Sequence, residues 1–187
     1  MKMIIFLFAG FFFTHVLFAQ AFRNVNWGAS IEEVKLSEKK IPDQESEESL
    51  MYKVQLSGKE VLLIYNFLPE HGLYSSGYFF DEKHTNKNGY IDDYKEVKSL
   101  LVKKYGNPIS DRVIWSNDLF KDDPQEYGRA VSIGHLKYIS KWTVDRTEIT
   151  LGLLGDNYEI GMILNYESLR LKKLAEELKE QKKLKDF

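Results

Sequence analysis

The chain has 187 residues, 26 basic against 28 acidic, and no cysteine. Basic residues spread among acids exclude the concentrated positive footprint that nucleic acid binding requires. The missing cysteine excludes disulfides, a thiolate nucleophile and an acylated lipoprotein anchor, so stability must come from an ordinary hydrophobic core.

At the N-terminus Lys2 precedes the apolar run MIIFLFAGFFFTHVLF, followed by the small-residue step Ala19-Gln20-Ala21. This order predicts a secretory signal peptide over residues 1–21, cut after Ala21, with a mature chain starting at Phe22. An uncleaved anchor is the rival. The run is about 16 residues, short of the roughly 20 that span a bilayer core, and Thr14 and His15 interrupt it. No second long apolar segment follows. The expectation is an extracytoplasmic protein, periplasmic or secreted, with no transmembrane segment once the signal is removed.

In FRNVNWGASIEEVK, Ser30 and Glu33 have the spacing of a capping box, which predicts a short helix over 31–37. The polar stretch KKIPDQESEES reads as a loop. LMYKVQL alternates, with Leu50, Tyr52, Val54 and Leu56 on one face. EVLLIYNFL is apolar on both faces, as expected of a central strand, and LYSSGYFFD completes an antiparallel meander. After the loop HTNKNGY, Asp93 and Glu96 predict a helix start. Tyr94, Val97, Leu100, Leu101 and Tyr105 then form an apolar stripe, which Gly106 and Pro108 end. Val113-Ile114-Trp115 and an acidic loop follow. A long β stretch is predicted over 130–144, its alternation slipping near Gly134. RTEITLGLL and YEIGMILNY flank the turn Gly155-Asp156-Asn157 and give the last two strands.

The predicted fold is therefore α+β: a meandering antiparallel sheet with helices packed on one face and a C-terminal helix. The domain spans 22–167, and its element order leaves open two helix-plus-three-strand halves, 22–85 and 86–167. Residues 168–187 form a charged helix with a narrow stripe of Leu171, Leu174 and Leu178, too short for an independent coiled coil.

Chemistry is harder to find. After the signal the histidines are His71, His84 and His135. His71 falls in a hairpin turn and His84 in a polar loop, where both read as solvated, and His135 falls in a strand as a structural residue. No histidine pair is spaced for zinc. The loop starting at His84 offers Asn86, Asn88 and Gly89 at calcium-loop positions, but puts lysine, Lys95, where a bidentate acid is required. Asp118, Asp122, Asp123 and Glu126 read as a solvated loop. No catalytic, cofactor-binding or metal-binding residue is assigned, and no cofactor is expected.

The segment from Phe22 to Val34, with its Phe, Trp27-Gly28 pair and Ser-x-Glu-Glu-Val helix start, resembles the opening of uncharacterised exported bacterial proteins. NKNGYIDDYKEVKSLLVKKYGNP, WSNDLFKDDP and the TEITL strand are similar to them as well. The resemblance implies bacterial export and an α+β fold and carries over no activity. Trp27 reads as an aromatic plug over a helix start. The functional expectation is a non-catalytic binding module of the bacterial envelope, with an envelope protein as partner through its sheet face or C-terminal helix. The alternative is an envelope-directed hydrolase with paired carboxylates, which requires a cleft and one carboxyl of raised pKa.

Overall fold

A computed structural model describes residues 22–185. The expected signal peptide, 1–21, lies outside the described residues, as do 186–187. The fold is α+β, with one antiparallel sheet of eight strands in the order β1-β2-β3-β4-β8-β7-β6-β5. These are β1 (Gln44–Glu45), β2 (Ser49–Leu56), β3 (Lys59–Leu68), β4 (Gly72–Phe80), β5 (Ser110–Trp115), β6 (Leu136–Val144), β7 (Thr147–Asp156) and β8 (Glu159–Ser168). Four helices join them: α1 (Ile31–Glu38), α2 (Asn88–Tyr105), α3 (Tyr127–Ser132) and α4 (Leu169–Lys185).

The sheet consists of two meanders, β1 to β4 and β5 to β8, joined where their last strands pair antiparallel, Tyr78 opposite Leu164. Each meander is preceded by a helix. The second meander also carries α3 between β5 and β6, where the first has only a tight turn between strands.

Alternation along the strands sends one set of side chains inward. Tyr52, Leu63, Tyr78, Leu164, Leu151 and Ser140 stand opposite one another across the six strands from β2 to β6 and are all buried. Helices α1, α2 and α3 cover this inner face, through Val34, then Ile91, Tyr94, Val97 and Leu101, then Ala130 and Val131. The capping box at Ser30 and Glu33 forms as expected. A chain of hydrogen bonds ties the second half together. Tyr94 Oη and Ser140 Oγ lie 2.7 Å apart, Ser140 Oγ donates to Asp111, and Lys98 Nζ holds the other Asp111 oxygen.

Two boundaries differ from expectation. α2 begins at Asn88, five residues before Asp93, because Asn88 is held from elsewhere: its side chain accepts from Gly128 N and donates to the carbonyls of Pro124 and Gln125. The predicted strand over 130–144 starts only at Leu136. Its first residues belong to α3, and Gly134, with φ +76°, is the turn that leaves that helix.

The N-terminal segment is built into the sheet end. Gly28 N donates to Leu73 O and Leu73 N to Ala29 O. Gly72 makes this approach possible, since its φ is +73° and a Cβ there would overlap the Gly28 carbonyl. Trp27 serves as the expected plug, half-buried against the core with Nε1 donating to Thr147 Oγ1 at 2.9 Å.

Candidate functional site

The sheet's outer face is the first candidate. Leu62, Phe79, Ile163, Gly152 and Ile139 stand opposite one another across β3, β4, β8, β7 and β6, forming one row perpendicular to the strands. The same row ends on cations, Lys53 on β2 and Arg112 on β5. Of the apolar members Ile163 is 37% exposed, and its near neighbour Leu154 on the same face is 43% exposed. The other large side chains of the row are partly accessible. EVLLIYNFL is apolar on both faces, and the three helices of the inner face cover only one of them.

Gly152 is a notch in this row. A Cβ built there would meet only Ile163 Cγ1 at 3.6 Å and Leu154 Cδ2 at 3.7 Å, ordinary contact distances. The backbone does not require glycine at this position, although Gly152 itself is buried between Ile163 and Leu154. Lys53, Lys137 and Arg112 on this face are exposed and form no ion pair among the described residues.

Helix α4 borders the outer face at one end. Leu171 and Ala175 pack on Leu68, and Lys172 Nζ donates to Glu148 (2.6 Å) and Glu167 (2.9 Å). Burial lowers the Lys172 ammonium pKa, but these two carboxylates outweigh that and hold it above its ordinary value. The rest of α4 extends away, with Leu184 69% exposed.

A second candidate is a charged corner at the start of β3. Lys59 Nζ donates to Glu82 Oε2 (2.5 Å) and Asp93 Oδ1 (2.8 Å), while His84 Nε2 lies 2.5 Å from Asp93 Oδ2. His84 is therefore not a solvated loop residue. Its ring is T-shaped to Tyr90 and packs against Gly89, where a Cβ would come within 2.7 Å of Nδ1. The sequence reading missed this group because its members come from β3, the loop after β4 and the second turn of α2.

The remaining sequence candidates do not converge. His71 is exposed in the β3–β4 turn, and His135 precedes β6 rather than lying in it, its Nδ1 buried with no hydrogen-bond partner among the described residues. In the acidic loop Asp118 pairs with Lys121, Asp123 caps the turn at Gln125, and Glu126 pairs with Arg129.

The shifted carboxyls bear on the hydrolase alternative. Burial pushes the Glu38 carboxyl up, but the Arg23 guanidinium and the Tyr65 hydroxyl bonded to it more than offset this and hold it below the usual range. Asp111 is likewise pushed up by burial and pulled lower by Lys98 and Ser140, while Lys172 lowers Glu148. These shifts run opposite to what a general acid needs. Compared with family models, curated proteins and solved structures, the chain matches none.

Proposed function

We propose that this protein is an exported, non-catalytic binding module of the bacterial envelope whose outer sheet face receives an amphipathic helix with acidic flanks from a partner protein. The observation that carries the reading is the row from Lys53 to Arg112: apolar in the middle, notched at Gly152 and cationic at both ends. From β3 to β6 it crosses four strand spacings of ~4.8 Å, about 19 Å, which matches roughly three and a half turns of α-helix. A helix laid across the strands would therefore set about one side chain per turn against Leu62, Phe79, Ile163 and Ile139, with Gly152 leaving room between the last two, the helix-in-groove mode of recognition. Acidic residues near its ends would meet Lys53, Arg112 and Lys137, charges that steer association and set orientation.

Export rests on the sequence of residues 1–21, where Lys2, a long apolar run and the step Ala19-Gln20-Ala21 follow in order. Phe22, the expected first mature residue, is already buried, its ring against those of Tyr65, Tyr78 and Tyr166. Cleavage at that point would release a domain with no flexible leader before its core.

A photo-crosslinking residue placed at Ile163 or at Leu154, with Leu36 on α1 as the control site, tests the binding reading in envelope preparations of the native host. Both outer-face sites are expected to join one protein through a helical, acid-flanked segment, and the control site is not. Crosslinks only between two copies of this chain, or equal yields at Leu36, would overturn it.

A further inference from the structure

The corner formed by Glu82, His84 and Asp93 supplies a nitrogen and two carboxylates from the loop after β4 and from α2, and one ligand atom from each lies within 4.8 Å of the others. We propose that it is a binding site for a divalent transition cation of the zinc type, with the Lys59 ammonium as a built-in competitor for the same two carboxylates. The donor set suits zinc, which takes imidazole nitrogen and carboxylate oxygen at about 2.0–2.2 Å and, with three protein ligands, keeps a fourth position for water.

Preorganisation of the histidine supports the assignment. The His84 ring is fixed on both sides, by Gly89 below and Tyr90 at its edge, so that Nε2 points at Asp93 rather than at solvent. A metal-bound imidazole must be neutral, with its proton on Nδ1 and its lone pair on Nε2. His84 Nε2 and Asp93 Oδ2 are now 2.5 Å apart. Two ligands on a tetrahedral zinc stand roughly 3.3 Å apart at these bond lengths, so binding would part them by less than an ångström. Glu82, on the loop after β4, is the most exposed of the three and the one with most freedom to close on the ion.

Lys59 sets the affinity. It holds Glu82 and Asp93 together and offsets one of their two charges, which keeps the site assembled without a metal. Binding requires the ammonium to swing out, and the side chain starts at the first residue of β3, beside solvent, where this is feasible. Removing the competitor should therefore tighten zinc binding, whereas a purely structural salt network would gain nothing. A bound ion would tie the loop after β4 to α2 and raise the melting temperature of the folded form.

The test is titration of the intact protein with zinc chloride, read by calorimetry and by melting temperature, alongside cobalt(II) as a spectroscopic probe. One zinc per chain is expected in the wild type, with a raised melting temperature. Binding should be about tenfold or more tighter in Lys59→Met and about tenfold or more weaker in His84→Gln. His71→Gln, the surface control, should bind as the wild type does. If Lys59→Met does not fold, His84→Gln decides through loss of the cobalt visible band. No zinc binding by the wild type or Lys59→Met at about 1 mM, or zinc binding unchanged in His84→Gln, would overturn the proposal.

Discussion

At Glu38 burial and hydrogen bonding pull in opposite directions. The side chain is 7% exposed, yet its carboxylate accepts two bonds from Arg23, at 2.8 and 2.9 Å, and one from the Tyr65 hydroxyl. Because the folded pKa lies below the unfolded one, Glu38 contributes stability fully above its unfolded value near pH 4.3. That contribution is lost as pH falls through the folded value. Asp111 and Glu148 act in the same direction. Glu38→Gln should cost about 1–3 kcal/mol at neutral pH, toward the lower end because Arg23 is partly solvated and screens its share. It should also flatten the acid limb of a stability–pH profile below about pH 5. Denaturant midpoints across that range check both parts, and an unchanged acid limb would show that Glu38 is not linked to acid unfolding. Neither Arg23 nor Glu38 stood out in the sequence, since each sits in a polar segment whose partner lies 15 residues away.

Elements were legible where periodicity and turn chemistry agree. The Ser30 box, the stripe of α2 except Leu100, which is 43% exposed, and the alternation of β2, β7 and β8 appear in the fold, because each is set by residues near one another in the chain. The reading failed where a distant contact decides. Asn88 opens α2 early through bonds to a segment some 40 residues on, and Ala130–Ser132 wind into α3 although they run directly into the alternating stretch of β6. Helix α4 combines both cases. Its docked first turns are anchored by Leu171 and Ala175, whereas Leu178 and Leu184 beyond them are partly or largely exposed. Deleting 179–187 should shift the melting temperature by no more than about 2 °C, while Leu171→Ala should cost about 2–3 kcal/mol. Thermal and denaturant melts compare the two, and a large loss on truncation would place the helix end in the core.

At the scale of the molecule the sheet has one face sealed by α1, α2 and α3 and one face framed by α4 at a single end. Each residue of the outer row was visible as a strand position: Leu62 in EVLLIYNFL, Phe79 in LYSSGYFFD, Ile163 in YEIGMILNY. What a single chain could not reveal was their alignment, because the pairing of β4 with β8 brings together residues more than 80 positions apart. The charged corner was hidden for the same reason. The row's cationic ends make a demand that a bare hydrophobic surface would not, since affinity for an acid-flanked helix should depend on Lys53 and Arg112 while folding should not. The most direct measurement is therefore the crosslinking yield from position 163 in a Lys53→Glu, Arg112→Glu double variant, compared with wild-type charges at matched melting temperature. The account predicts that the crosslink to the partner falls about tenfold or more with the melting temperature unchanged. An undiminished crosslink in the charge-reversed protein would contradict it.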